Sequence, residues 1–474
     1  MAPAERSSAD TLMTALTRKS QGEPVWRYFD HRVRHPAEAK ARLPFVRCAP
    51  LDTPAVVDQM FQAAPVPARR RVLYLHIPFC THLCDFCGYT RCLGGDQEAV
   101  TRYLDALRAQ LRRYSDTPWG AAAAPVEAIY LGGGTPTALP AAHLAALLTD
   151  IAQRLPVKPT AEVTVESCLS SLEPEDIPRL REAGVNRMSF GVQSFDTHLR
   201  RSLGRVSDRE HILTTLQQAK HQGLETICID LLYNLPHQTL DTWQQDLRTL
   251  AATPVTGCSV YPLILFPHAR LARQIQQGDR PPLGSLEREY QFYTAADAHL
   301  ADVLHWQRFT PVQYGDARVE RARYVRAHSR NDDVLALGAG AGGAIGARTY
   351  RNTPDIAAYI AAQEHADESQ MMVLTIDPTY LEARRWYQLS EGLRAPSETE
   401  TAFALVPAMH EVIRSLLDLE LVLQSPDGGF TLTQTGRFWA GNISALISEA
   451  IGDALHTQSI DPAYNHKDRT WREP

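Results

Sequence analysis

Cys80, Cys84 and Cys87 stand in the spacing C-x3-C-x2-C, within Tyr74-Leu-His-Ile-Pro-Phe-Cys80-Thr-His-Leu-Cys84-Asp-Phe-Cys87-Gly-Tyr-Thr. Three thiolates on one short loop suit a [4Fe–4S] cluster with one iron left without a protein ligand, because a closed structural site normally takes four. The open iron can bind the amine and carboxylate of another molecule. An electron from the cluster can then enter a bound sulfonium and break a carbon–sulfur bond. The competing assignment is a zinc site completed by His76 or His82. Zinc frameworks favour C-x2-C pairs with a second pair downstream. Here Cys168, Cys228 and Cys258 stand alone, and with Cys48 they read as small buried hydrophobes.

Further polar groups recur after apolar runs. In Tyr130-Leu-Gly132-Gly133-Gly134-Thr135-Pro136-Thr137, three glycines leave N–H and C=O groups bare for a ligand, or form a tight turn. Glu166 closes an apolar run and could accept sugar hydroxyls, or face water. Gln193, Arg205 and Asp230 follow in the same manner, each singly as consistent with a cap or salt bridge as with binding.

These residues need a frame that brings strand ends together. Apolar runs at Arg71–Ile77, Ala128–Leu131, Glu162–Val165, Arg187–Phe190, Thr226–Leu232 and Gly257–Pro262 read as strands. Amphipathic stretches at 98–114, 141–154, 174–183, 207–222 and 240–252 read as the helices between them. Strand–helix alternation implies a parallel sheet with helices outside, and about 190 residues suit a partial (β/α)6 barrel. The active groups then belong at the carboxyl ends of the strands.

The expected division is an N-terminal arm over 1–70, the barrel over 71–265, an extension with the glycine-rich loop Leu335–Gly346 over 266–375, and a mostly helical, winged-helix-like unit over 376–474. The winged-helix cue is the turn Asp427-Gly428-Gly429 between Leu421–Leu423 and Phe430–Leu432.

The chain has 474 residues, 44% hydrophobic and 22% charged, with a formal net charge of −6. It has no basic surplus for nucleic acid and no apolar stretch long enough to span a membrane. The first residues mix charges with short apolar groups, unlike a secretory signal, so a cytoplasmic location is expected.

The cysteine spacing after LYLHIPFC resembles the radical SAM superfamily, in the branch of the oxygen-independent coproporphyrinogen III oxidases (HemN-like), over roughly residues 71–350. The resemblance implies that Cys80, Cys84 and Cys87 hold the cluster. It also implies that the glycine motif binds the amino and carboxylate groups of S-adenosylmethionine (SAM). Tyr74, Gly133 and Glu166 fall on positions that serve this first SAM. Phe86, Gly134, Thr135, Gln193, Arg205, Asp230 and, more loosely, Ile264 fall on positions that hold a second SAM. Where the family often continues with Asn-Pro after the glutamate, this chain has Ser167-Cys168.

Two SAM molecules imply methyl transfer. A 5′-deoxyadenosyl radical from one takes hydrogen from the methyl of the other, which then adds to an aromatic or porphyrin carbon. The family's oxidases carry a fourth cysteine two positions after the third, and here that position is Tyr89. Its haem chaperones carry H-N-x-x-Y-W before the glycine run, and here the stretch is His328-Ser-Arg-Asn-Asp-Asp-Val334. Leu43-Pro44-Phe45-Val46, the CGYT after the cluster, DVLALGAGAGG and the tail Leu432–Ile443 resemble instead the haem-utilisation subgroup of ChuW/HutW type. That implies methylation and anaerobic opening of haem, or action on another tetrapyrrole, driven by a low-potential donor such as flavodoxin or ferredoxin. A different aromatic substrate, the oxidase reaction and a haem-carrier role are the alternatives. His198, His237, His268 and His328 are candidate haem contacts, none singled out as a ligand.

Overall fold

The computed structural model describes residues 7–34, 53–63, 69–327, 329–369, 371–375, 382–392, 394–397 and 401–456. The cues at 43–46 and at His328, and Cys48, lie outside the described residues.

The strands in chain order are β1 (Arg71–Ile77), β2 (Phe79–Cys80), β3 (Cys92–Leu93), β4 (Val126–Gly133), β5 (Val157–Ser167), β6 (Arg187–Gln193), β7 (Thr226–Tyr233) and β8 (Gly257–Pro262). They continue with β9 (Gln307–Thr310), β10 (Gln313–Gly315), β11 (Asp333–Leu337), β12 (Gly342–Ile345), β13 (Arg348–Arg351) and β14 (Met372–Thr375). One 12-stranded sheet runs β14-β13-β12-β11-β1-β4-β5-β6-β7-β8-β10-β9.

All six expected strands are present and adjacent, and each pairs in parallel with the next. Strands β1, β6 and β7 are buried at nearly every position. Near-continuous apolar runs of this kind belong to a sheet covered on both faces. The expected helices are Gln97–Ser115, Ala141–Arg154, Ile177–Glu182, Arg209–His221 and Leu240–Ala251.

The sheet is larger than the six strands expected. The start of the glycine-rich run is not a loop but β11, which pairs in parallel with β1 from Arg71↔Asp333 to Leu75↔Leu337. On the far side β10 adds antiparallel to β8. Antiparallel strands therefore flank a parallel centre on both sides. Among the described residues β14 and β9, the two edges, do not pair with each other, so the sheet is open.

The chain forms two compact units. One comprises residues 51–373 and 391–393 and holds the sheet up to β14. The other comprises 1–50, 374–390 and 394–474. In it the helix Ser8–Ser20 packs with Met409–Asp418 and Ala440–His456, beside the hairpin of β15 (Val422–Gln424) and β16 (Phe430–Leu432). Among the described residues no helix is long and apolar enough to cross a membrane.

Candidate functional site

The cysteine loop leaves β1 at its carboxyl end and is clamped from two sides. Cys80 ends β2, which pairs with β3 so that Cys80 faces Leu93 in register. The glycine loop after β4 reaches across, with Gly134 N donating to Ile77 O at 2.8 Å and Thr135 N to Phe79 O at 2.8 Å. Thr135 Oγ1 also points its hydroxyl at Cys80 Sγ, 3.6 Å away. Asp85 N donates to Leu203 O, which fastens the turn carrying Arg205 onto the same loop.

The three thiols lie close enough to perturb one another. Burial pushes Cys80 up to about 11, the Thr135 contact opposes this, and Cys87 and Cys84 add to it. Among the described residues, however, no three His, Cys, Asp or Glu side chains converge on the radius of one metal ion. A four-iron cluster binds each thiolate to a different iron and so spaces them more widely than one ion does. Three thiolates with no fourth protein ligand are the donor set that such a cluster with one open iron takes. His76 is also engaged at both nitrogens. Thr90 O can only accept, so Nε2–H donates to it at 2.9 Å, and Nδ1 accepts from Tyr74 OH at 3.0 Å. Burial keeps that ring neutral. His82 is exposed beside Thr81.

Gly133 has φ +116°, and a Cβ there would lie 2.5 Å from the His76 ring. A Cβ on Gly134 would lie 2.6 Å from Pro78 O. Only glycine permits the backbone to run this close to the cysteine loop.

Glu166 sits in the sheet interior at the end of β5. Tyr130 OH donates to its Oε1 at 2.6 Å and Gly133 N to its Oε2 at 3.0 Å. Burial raises its pKa to about 7; the Tyr130 bond opposes this and the nearby Asp230 adds to it. Burial likewise raises Asp230 to about 6, against the Ser259 hydrogen bond. Asp230 registers between Gly191 on β6 and Ser259 on β8. Tyr74 lies one layer below, its ring stacked on Tyr324 at 5.7 Å, and Tyr324 stacks on Tyr130 at 4.4 Å.

Gln193 ends β6 at φ +63°, beside a register shift. Its Nε2 and Arg205 Nη2 both crowd the α-carbon of Gly191, where a Cβ would lie 3.0 and 2.8 Å from them. Gln193 is 5% exposed, and its Oε1 has no hydrogen-bond partner. Arg205 Nε is buried without one as well. Native proteins leave few such atoms unpaired, and a ligand is one of the reasons. Phe86 packs against the buried cluster of Leu203, Leu232, Leu235, Leu263 and Leu271. The Arg205 guanidinium stands 5.8 Å over its ring. Ile264 is half-buried between Leu263 and Leu265, with no polar role of its own.

The structure thus brings Cys80, Cys84, Cys87, Phe86, Gly133, Gly134, Thr135, Glu166, Gln193, Arg205 and Asp230 to one end of the sheet. Tyr74 and Ile264 flank them from below and beside.

Some site features are not in the sequence reading. Cys168 is half-buried and accepts from Arg205 Nη1 at 3.1 Å, whereas Cys228 and Cys258 are buried as expected. Burial acts to raise the Cys168 pKa, and Arg205, the hydrogen bonds with Ser170, and Arg200 together outweigh it, so the thiol is lowered. Tyr130, Tyr324 and Thr90 support Glu166, Tyr74 and His76, and no local spacing marks them. Tyr89 is 68% exposed yet lies within electrostatic reach of Glu166, Cys87 and Asp230, so its phenol projects into the mouth of the site. His198, His237 and His268 are exposed.

The sequence profile of the radical SAM superfamily matches residues 74–250. Anaerobilin synthase of Escherichia coli O157:H7 is 28% identical over 420 residues, 87% of this chain and 92% of that one. Heme chaperone HemW of Bacillus subtilis is 32% identical over 289 residues, 60% and 74% of the two chains. Oxygen-independent coproporphyrinogen III oxidase of Salmonella typhimurium is 33% identical over 219 residues, but only 46% and 47%. The structure of coproporphyrinogen III oxidase (HemN) from Escherichia coli, a radical SAM enzyme, shares the fold. Its TM-score is 0.71 at 24% identity, over 83% of this chain and 93% of that one.

Proposed function

Since the chain belongs to the HemN-like branch of the radical SAM superfamily, we propose that it is a radical methyltransferase acting on haem, opening the macrocycle without oxygen to a linear tetrapyrrole and releasing iron. The observation that carries this reading is the pair of buried, partnerless polar atoms on Gln193 and Arg205, in the same mouth as the three thiols. One SAM on the glycine loop and Glu166 leaves them unused, and a second SAM gives them partners. Two SAM molecules are what methyl transfer needs and a carrier does not.

Cys80, Cys84 and Cys87 would hold a [4Fe–4S] cluster, which when bound supplies the electron that cleaves SAM. Gly133 and Gly134, which carry no side chains, leave room for the amino acid end of the first SAM beside the loop. Glu166 accepts its ribose hydroxyls, best above pH about 7, where the carboxyl is ionised. Arg205, Gln193 and Asp230 grip the second SAM, and Phe86 with its apolar neighbours keeps water from the reacting carbon. The tetrapyrrole substrate is supported by the similarity to heme chaperone HemW and to oxygen-independent coproporphyrinogen III oxidase. Methyl transfer is favoured over the oxidase reaction by Tyr89 in place of the fourth cysteine, and by similarity along nearly all of anaerobilin synthase.

The test is anaerobic reconstitution with iron and sulfide, then SAM, dithionite and haem. Loss of the haem Soret band together with methylated, iron-free products is expected. Intact haem at the end, with or without 5′-deoxyadenosine, would instead favour the haem-carrier reading that the similarity to HemW supports. Substituting Ala for all three cysteines should abolish bound iron.

A further inference from the structure

A guanidinium can donate five N–H groups, and among the described residues Arg205 donates only one of them, from Nη1 to Cys168 Sγ at 3.1 Å. Its Nε is buried without a partner, and so is Oε1 of the buried Gln193. The two side chains meet over Gly191, where a Cβ would lie 2.8 Å from Arg205 Nη2 and 3.0 Å from Gln193 Nε2. A donor and an acceptor are thus both left unused on neighbouring side chains, and a single sulfur anchors the donor.

That sulfur is itself firmly placed. Cys168 follows β5 and precedes the short turn Leu169–Ser171. Its carbonyl accepts from Ser171 N and Ser171 Oγ, both at 2.9 Å, and from Ser167 Oγ at 3.3 Å. Both serine hydroxyls also bond Thr137 Oγ1, at 3.0 and 2.8 Å. Thr137 ends the glycine motif, so the turn that carries Cys168 is tied to the loop beside the first SAM. Sγ also lies 3.2 Å from Ser170 Oγ. The thiol is lowered against its burial, toward the anion that a guanidinium holds best.

We propose that Cys168 is a positioning residue for the second SAM: its sulfur holds the Arg205 guanidinium at the angle that turns Nε, together with Gln193 Oε1, toward that ligand. This role rests on the two-SAM reading above and adds the residue that sets the grip. No bond to Cys168 is made or broken in it. A guanidinium with a single anchor rotates once the anchor is removed, and a side chain already ordered binds better than one its ligand must order. Through Thr137 the grip on the second SAM is built from the loop beside the first. Two sites on one scaffold hold their ligands at a fixed spacing, which transfer between the two molecules requires.

The test uses the reconstituted full chain as the parent, with Cys168→Ala, Cys168→Ser, Arg205→Gln, and Cys168→Ala combined with Arg205→Gln. SAM is the probe. Equilibrium dialysis with methyl-labelled SAM counts the sites and their affinities. Turnover with dithionite and haem is read as 5′-deoxyadenosine, which needs only the first SAM, and as S-adenosylhomocysteine, which needs the second. The parent should bind two SAM molecules per chain. Cys168→Ala should leave one site unchanged and weaken the other roughly tenfold, the worth of one hydrogen bond to a charged group. Its 5′-deoxyadenosine should stay within about twofold of the parent's, while S-adenosylhomocysteine falls roughly tenfold at low SAM and recovers as SAM rises. Cys168→Ser keeps an acceptor and should restore the second site to within about threefold. In the Arg205→Gln background Cys168→Ala should cost nothing further, since the sulfur acts through the guanidinium. Two unchanged sites in Cys168→Ala overturn the proposal. So does equal weakening of both sites with loss of 5′-deoxyadenosine, which would make Cys168 part of the general packing. A serine variant as weak as the alanine one overturns it too, and so does a further loss in the double variant, which would have the sulfur touch the ligand itself. A parent that binds a single SAM overturns the two-SAM reading and this role with it, and shows so before any variant is compared.

Discussion

At the scale of single residues, the site is built on groups held away from their ordinary state. Glu166 is the clearest. Its carboxyl titrates near 7 in the fold against 4.5 for the unfolded side chain, chiefly through burial. Between those values the native protein keeps a proton that the unfolded chain has released. Stability therefore falls as pH rises through this window, and the cost is complete above about 7. Glu166→Gln removes the cost while leaving an amide oxygen for Gly133 N and an amide group for Tyr130. The variant should gain roughly 1–2 kcal/mol over wild type in urea unfolding at pH 8, and nothing at pH 4.5. The same change should weaken SAM binding by calorimetry, because a carboxylate is lost from the ribose. Gly133→Ala should act oppositely. Its φ of +116° and the His76 ring 2.5 Å from the new Cβ make the variant strained by roughly 2–3 kcal/mol, with SAM affinity lost as the loop shifts. The resemblance to the family pointed to Glu166, Gly133, Gln193, Arg205 and Asp230, and all but Arg205 lie in or at the end of a strand of the parallel sheet. It could not reveal Tyr130 on Glu166 or Cys168 on Arg205. Those contacts depend on sheet register and on a turn 37 residues downstream.

At the scale of elements, alternating apolar strands and amphipathic helices were readable because each signal is local. The outer strands were not. The run from Leu335 is rich in glycine and alanine, a composition that resembles a loop, and only its parallel partner β1 makes Asp333–Leu337 a strand. The segment after β10 was equally opaque, yet it closes the interior beneath the site. Its Glu320 accepts from Arg187 Nε at 3.0 Å and from Cys228 Sγ at 2.6 Å, all three side chains being buried. Arg187 stays fully charged there: burial opposes it, and Cys228, Glu320 and Glu162 outweigh the burial. Removing one member of a buried pair strands the other charge. Glu320→Ala should therefore cost roughly 3–5 kcal/mol in urea unfolding, while Arg187→Met with Glu320→Leu should recover most of it. Equal losses in the single and double variants would show that the segment is held by its backbone and not by this pair.

At the scale of the whole molecule, residues 7–34 of the N-terminal arm belong to the unit that also contains the C-terminal helices, whereas its residues from 53 on belong to the other. Nothing local announces this, since the partners are some 400 residues apart in sequence. The contacts are specific. Arg32 Nε donates to Phe438 O at 2.7 Å, with its guanidinium 4.2 Å over the Phe438 ring. Val33 N donates to Asn442 Oδ1, and Asn442 Nδ2 returns a bond to His31 O at 2.9 Å. Trp439 Nε1 reaches Val25 O at 3.0 Å. A Cβ on Gly441 would lie 2.0 Å from Val33 O, so the helix Ala440–His456 is shaped to receive this strand of chain. Deleting residues 1–34 therefore removes one wall of a folded unit rather than a tail. It leaves Asn442 and Trp439 without partners and uncovers the apolar faces on which Leu12 and Ala15 are buried. Two consequences should separate by unit. Amide exchange in Met409–Asp418 and Ala440–His456 should rise by orders of magnitude, as the local opening energy falls by several kcal/mol. Exchange in β1, β4 and β5, whose bonds lie wholly within the other unit, should stay close to that of the full chain, and so should bound iron after reconstitution. Gly441→Ala is the point-substitution counterpart, because its Cβ must push Val33 away without removing any residue. If it raises exchange at both helices as the deletion does, the arm is an integral part of that unit's core. If exchange there is unchanged by deletion and substitution alike, the arm merely lies on a unit that is stable without it.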